Sequence, residues 1–154
     1  MKKTLWRPVS PEKTKMEELA RIINNNHSQS INSYDQLHNW SINHIPEFWE
    51  EIWNYCEIIH SKSYTQIVDN TKAMPGAKWF RGSKLNFAEN LLKFRDERIA
   101  IKCKTEDQGI LEITYYELFQ EVEKVSNYLR ELGVQKGDRV VGFLPNVPEA
   151  VVAM

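Results

Sequence analysis

The stretch Gly76-Ala77-Lys78-Trp79-Phe80-Arg81-Gly82-Ser83-Lys84 comes nearest to phosphate chemistry, combining glycines, a hydroxyl and cations in one short run. A phosphate-cradling loop sets four residues between its glycines and then places Lys followed by Ser or Thr, so that backbone N–H groups and an ammonium converge on one phosphate. In this chain the spacing is one residue too long, Ser83 precedes Lys84, and bulky Trp79 and Phe80 sit inside. Spacing and order together exclude the loop. His27, His38, His44 and His60 form no HExxH pair and no close Cys/His pairing, so metal ligation would require distant residues to fold together. No serine stands in a Gly-x-Ser-x-Gly elbow, which leaves a hydrolase triad without its nucleophile. The carboxylates are spread along the predicted helices and one turn, where a solvated surface accounts for them. The residues therefore supply no catalytic, no cofactor-binding and no metal-ligating position.

The elements that would position such residues begin at Ser10-Pro11-Glu12. This reads as a helix start, with serine as N-cap and proline at the first helical position. Met16, Leu19, Ile22 and Ile23 follow as one apolar stripe. The polar run from Asn24 to Ser30 is expected to end the helix in a loop. Ser33-Tyr34-Asp35-Gln36-Leu37 opens a second helix carrying Leu37 and Trp40, and Pro46 opens a third. Glu47, Glu50 and Glu51 fall in the first turns of the third helix, favouring its dipole. Phe48, Trp49, Ile52, Trp53 and Cys56 give it a wide apolar face. That tryptophan-rich face is either a partner-binding surface or the core of a helical layer, and core packing is the reading we favour.

Ile58 to Ile67 is ambiguous, Ala73-Met74-Pro75-Gly76 is a turn by composition, and Asn86 to Glu89 resembles a capping box before a short helix. From about Arg98 the pattern changes. Ile99 to Lys104 alternates like a half-buried strand, Glu106-Asp107-Gln108-Gly109 has turn chemistry, and Ile110 to Ile113 makes the return strand of a hairpin. Thr114 and Glu117 form a second capping box. Leu118, Val122, Val125, Leu129 and Leu132 then mark one helical face, and Gly133 stops it. Val140-Val141-Gly142-Phe143-Leu144 is a continuous apolar run, as in a strand covered on both faces, and a further helix is expected from Pro145.

Hydrophobic residues make up 42% of the 154 and charged residues 27%, which excludes a disordered chain. A net charge of -1 without a dense basic block argues against nucleic acid or an anionic membrane as partner. No apolar stretch approaches the roughly 20 residues of a membrane span. The basic start, Met1-Lys2-Lys3, is cut short by Arg7 and Pro8 before a signal peptide could form, so a cytoplasmic location is expected. Cys56 and Cys103 are too few for a disulfide framework and are expected to be buried small hydrophobes. A doubly covered strand needs neighbours on both sides, and this sequence offers one clear candidate feeding a helix without a C-cap. The expectation is that further polypeptide completes it.

Read together, several segments carry a family resemblance. Leu5-Trp6-Arg7-Pro8, Tyr34-Asp35-Gln36-Leu37 with Trp40-Ser41, and Phe48-Trp49 resemble the opening of acyl-CoA synthetases of the acetyl/acetoacetyl type. Met74-Pro75-Gly76-Ala77-Lys78-Trp79-Phe80 with Leu85-Asn86-Phe87-Ala88-Glu89-Asn90-Leu91-Leu92 resembles the acetoacetate-CoA ligase version, since acetyl-CoA synthetases usually carry a double glycine before Leu-Asn. Thr114-Tyr115-Tyr116-Glu117-Leu118, Gly137-Asp138-Arg139-Val140 and Pro145-Asn146 with Glu149-Ala150 look like the start of the AMP-forming ligase fold.

The resemblance implies an α/β architecture. A helical amino-terminal module, residues 1–95, would pack on the hairpin, helix, strand and helix that begin an adenylating domain, residues 96–154. It also implies a full-length enzyme that joins a short acid, most simply acetoacetate, to ATP as an acyl-adenylate and then to CoA, with Mg²⁺ neutralising phosphate charge. The family's phosphate loop, its adenine, ribose and Mg²⁺ contacts and its lid lysine all fall beyond Met154, so no such role maps onto a residue here. The 154 residues alone are expected to be inactive, with the rest of the polypeptide as their partner. Acetate or propionate as the acid, and a non-catalytic interaction module derived from this fold, are the alternatives.

Overall fold

The computed structural model describes residues 6–106 and 109–154, which divide into two compact units, one reaching Asn86 and one running from Phe87 to Met154. In the first, Pro11–Lys13 forms only a single 3-10 turn, and Ser10 makes no side-chain cap. The helix proper, α1 (Lys15–His27), starts instead at Thr14, whose hydroxyl accepts from the Glu17 N–H. Ser10 and Thr14 are both competent caps, and Thr14 lies four residues nearer the apolar stripe that folding buries.

Nor does the asparagine run end α1. The helix continues to His27 and closes on Ser28 in the left-handed region at φ 52°. Two of its asparagines, Asn24 and Asn26, have their side chains held by partners. The Asn24 carboxamide donates to Ile31 O and accepts from Ile31 N at 2.9 and 2.8 Å, clamping the following connection against the helix. α2 (Tyr34–Asn43) is capped by Ser33 as expected, and α3 (Ile45–Tyr55) begins with proline in its first turn.

Leu19, Ala20 and Ile23 of α1 meet Ile31, Leu37 and Trp40 in the core of this unit, with Phe48, Ile52 and Tyr55 of α3 packed against them. Ile23 is fully buried, whereas Met16, expected on the same stripe, is exposed. At roughly 1.5–3 kcal/mol for each large apolar side chain withdrawn from water, this cluster is the main stabilising feature of the helical layer. The core reading of the tryptophans holds for Trp40 and Trp53. Trp49 remains 41% exposed, edge-on to Trp79. Cys56 corrects the cysteine expectation: it is exposed at the end of α3, and Cys103 is only half-buried.

The ambiguous stretch Ile58 to Ile67 is largely irregular and enters a strand only at its end, where β1 (Gln66–Val68) pairs antiparallel with β2 (Trp79–Arg81) as a ribbon, Gln66 opposite Arg81 and Val68 opposite Trp79. Phe80 adopts a left-handed backbone, φ 45°, which carries its ring to within 4.5 Å of the Trp53 ring and 5.4 Å of Tyr64.

The second unit opens with the short α4 (Phe87–Leu91) and the hairpin β3 (Ile99–Lys104) and β4 (Ile110–Thr114). Ile101 pairs with Ile113 and Cys103 with Leu111, after an irregularity between Ile99 and Ile101. Of the expected hairpin turn, Asp107 and Gln108 lie outside the described residues. α5 (Tyr115–Glu131) carries the predicted box in full. Thr114 N donates to the Glu117 carboxylate at 2.8 Å, and Glu117 N donates back to the Thr114 hydroxyl at 3.1 Å. At its other end Gly133, φ 82°, donates to Arg130 O while Val134 donates to Leu129 O, the two-bond closure of a Schellman stop. Arg95 lies 3.8 Å above the Phe119 ring, and Arg98 forks onto Asp96 with its guanidinium over Phe94.

Two expectations fail here. Val140 to Leu144 forms no strand, and Val141 and Phe143 are 91% and 104% exposed. The described strands pair only as β1–β2 and β3–β4, so this run has no ladder to join, and extended geometry alone satisfies none of its N–H and C=O groups. The last helix, α6 (Pro148–Ala153), starts three residues later than expected, with Pro148 buried in its first turn.

Candidate functional site

The phosphate-like stretch is spent on the ribbon. Lys78 N donates to Asp69 Oδ1 at 2.9 Å, Ser83 N to Phe80 O at 3.1 Å and Lys84 N to Lys62 O at 2.9 Å. A loop that binds phosphate must leave such groups unpaired and convergent. Here these three N–H groups are paired within the ribbon and do not converge on a common point.

The histidines go separate ways. His44 Nδ1 lies 3.2 Å from Trp40 O, His60 Nδ1 lies 2.8 Å from Ile58 O, and His38 stacks on Tyr34. His27 Nε2 is 2.9 Å from the Glu51 carboxylate, to which Asn26 also donates at 3.0 and 3.1 Å. Among the described residues no three His, Cys, Asp or Glu side chains come together as a metal set.

Glu51 corrects the reading of the acidic residues as a solvated surface. It is 7% exposed, lies beyond the first turn of α3, and ties α3 to the end of α1. The sequence gives no local sign of this, because Asn26 and Glu51 are 25 residues apart. Tyr64 is a second inward-turned group. Loss of hydration, then its hydrogen bond to Glu50 at 2.7 Å, push the phenol up to about 12, so Tyr64 serves as a donor and not as a base. The Arg98 fork holds Asp96 below the ordinary carboxylate range, as an exposed structural pair.

What the second unit presents is apolar surface. Phe87, Leu91, Leu118, Val122, Val151 and Met154 line one depression between α4, α5 and α6. Leu111, Ile113, Val125 and Val152 floor a second, of about 410 Å³, rimmed by Glu117, Glu121 and Glu149. Neither brings a nucleophile beside a base. Both have the character of packing surface, like the exposed Val140 to Leu144 run. Among the described residues no helix is long and apolar enough to cross a membrane.

Residues 34–91 match the family model described as acetyl-coenzyme A synthetase N-terminus, and residues 87–154 match that of AMP-binding enzymes. The two models overlap at residues 87–91, beside the division between the two compact units, and together they cover residues 34–154, so the chain resembles the amino-terminal region of AMP-forming acyl-CoA synthetases.

Within that class its similarity is to acetoacetyl-CoA synthetases. The Danio rerio protein of that name is 38% identical over 99% of this chain. A solved acetoacetyl-CoA synthetase from Streptomyces lividans superposes with a TM-score of 0.82 over 98% of the chain at 32% identity. A malonamoyl-CoA synthetase from Penicillium aethiopicum is 40% identical over 97% of it. The chain spans about a quarter of the length of these proteins, 23%, 24% and 22% respectively.

Proposed function

We propose that this chain is the amino-terminal scaffold of an ATP-dependent acid–CoA ligase acting on acetoacetate in the cytoplasm. The observation that carries the reading is a match to acetoacetyl-CoA synthetases over nearly all of this chain, in sequence at 38% identity and in fold at a TM-score of 0.82. In the proposed reaction the carboxylate attacks the α-phosphate of ATP and releases pyrophosphate, and the thiol of CoA then displaces AMP. Adenylation replaces a poor leaving group by a good one, and Mg²⁺ supplies charge neutralisation at the phosphates. None of the residues described above performs these steps. Their part is to build the helical layer and to start the body on which the reacting groups are mounted.

The malonamoyl-CoA synthetase relative favours a second reading of the acid. Malonamate and acetoacetate are both short carboxylates with a carbonyl at the β position, differing in an amino against a methyl group. A pocket selecting that carbonyl would accept either, and would reject acetate and propionate, which leave its hydrogen-bonding groups unpaired.

The test is pyrophosphate release by the full-length protein with each of the four acids. Turnover confined to acetoacetate, or shared between acetoacetate and malonamate, supports the reading. Preference for acetate or propionate overturns the substrate class. The 154 residues by themselves are predicted to release no pyrophosphate under the same conditions, and measurable release would refute the assignment of a scaffold role.

A further inference from the structure

On α2, Gln36, Asn39, Trp40 and Asn43 recur at helical intervals of three and four, so they share one face. With Gln29 from the α1–α2 connection and His44, they line a groove of about 310 Å³. An exposed helix face is ordinarily charged. This groove contains no Lys, Arg, Asp or Glu; its polar lining is four carboxamides with Ser30 and His44.

Three of those carboxamides are oriented by the protein through one end only. Gln29 Nε2 donates to His27 O at 2.9 Å, Gln36 Oε1 accepts from Asn32 N at 2.8 Å, and Asn43 Nδ2 donates to Asn39 O at 2.8 Å. The remaining ends, Gln29 Oε1, Gln36 Nε2 and Asn43 Oδ1, are left as two acceptors and one donor, and the Asn39 carboxamide adds one of each. Beneath them lies Trp40, 6% exposed, with the His44 ring stacked on it at 5.3 Å and 15°. The α1–α2 connection lies before the first residue matched by either family model, residue 34.

We propose that this groove is a binding site for a small neutral polyhydroxylated ligand, of the monosaccharide class. A hydroxyl donates and accepts at once, which suits a wall of mixed carboxamide ends. A sugar ring offers a C–H face to the exposed His44 ring, which the buried Trp40 backs, and brings no charge needing a counter-ion. The volume lies at the small end of ligand pockets, matching one pyranose ring.

The experiment titrates the chain with methyl glucopyranoside and N-acetylglucosamine, with glucose 6-phosphate as the anionic control, following the side-chain amide resonances of Asn and Gln by NMR. Neutral sugars should shift the resonances of Gln36, Asn39 and Asn43 together, with saturation in the millimolar range and little dependence on salt. Asn39→Ala removes no intramolecular side-chain hydrogen bond, so its melting curve should overlay that of the parent while binding weakens about tenfold. Asn43→Ala should weaken binding similarly, and keeps the test decisive should Asn39→Ala fold poorly. The proposal is overturned by any of three results. These are no shift at ~100 mM sugar, a concentration that would half-saturate even a very weak site, equal binding by the folded Asn39→Ala and Asn43→Ala variants, and tighter, salt-sensitive binding of the phosphorylated sugar.

Discussion

Replacing Ile23 by alanine tests whether the helical layer is held mainly by its apolar cluster. Ile23 is fully buried, surrounded by Leu19, Ala20, Ile31, Leu37 and Trp40. The substitution deletes three carbon atoms, and the neighbours are poorly placed to close the gap. Trp40 is wedged between His27, His44 and Phe48, with ring centroids 5.0, 5.3 and 6.4 Å away, and Ile31 is pinned through its backbone to Asn24. The lost transfer energy of about 2 kcal/mol therefore adds to a cavity contribution of comparable size, giving ~3–4 kcal/mol. For a chain of this length that is a fall in melting temperature of roughly 6–16 °C. Ile23→Val, which removes one carbon, should cost only about 0.5–1.5 kcal/mol. Far-ultraviolet circular dichroism during thermal and urea unfolding measures both. A loss under about 1 kcal/mol for Ile23→Ala, or equal losses for the two variants, would refute the reasoning, because either outcome means the site collapses freely or was never tightly packed.

Glu51→Ala and Asn26→Ala should each destabilise the chain, with the double variant losing less than the two losses combined by ~1 kcal/mol; strict additivity in a double-mutant cycle would mean the hydrogen bonds between them carry no energy. Glu117 is held below the ordinary glutamate range, first by the Thr114 backbone N–H and then by the Thr114 hydroxyl. Its stabilisation is therefore complete above the unfolded glutamate value and is lost as pH falls through the lower folded value, so acid should fray the start of α5. Glu117→Gln should flatten that acid limb of helicity, and an unchanged limb would assign it to other carboxylates. Thr114→Ala should cost about 1 kcal/mol at neutral pH, measured by urea unfolding. Phe143→Ser should leave stability within roughly 0.5 kcal/mol while reducing binding of an apolar-surface dye, and a large destabilisation would show that the ring is packed.

Where structure depends on neighbours in sequence, residue types were enough to read it. α5 is specified from end to end by Thr114 with Glu117 at one terminus and by Gly133 at the other, all acting within one turn of the helix. The β3–β4 hairpin follows from its alternation. The start of α1 was misread because two competent caps stand four residues apart and burial of Leu19 and Ile23 decides between them. Its end was misread because asparagine favours loops unless its side chain finds a partner, and those of Asn24 and Asn26 lie at Ile31 and Glu51. The β1–β2 ribbon is three residues per strand, too short to show a period. Val140 to Leu144 has the composition of a strand, but a ladder is a property of two segments. The groove beside α2 was not legible in the sequence, since three carboxamides on a helix and one in the preceding connection look like surface until their hydrogen bonds are placed.

Position 80 is caught between two demands that no ordinary residue meets together. The left-handed backbone there costs a side-chain-bearing residue about 1–2 kcal/mol, while the ring it supports completes a three-ring cluster with Trp53 and Tyr64. Glycine would relieve the backbone and empty the aromatic cluster. A β-branched aliphatic would neither fill the space nor tolerate the turn. Tolerated variation at this site should therefore be narrow and aromatic, with Tyr and Trp surviving in a selection that eliminates Gly, Val and Ile alike.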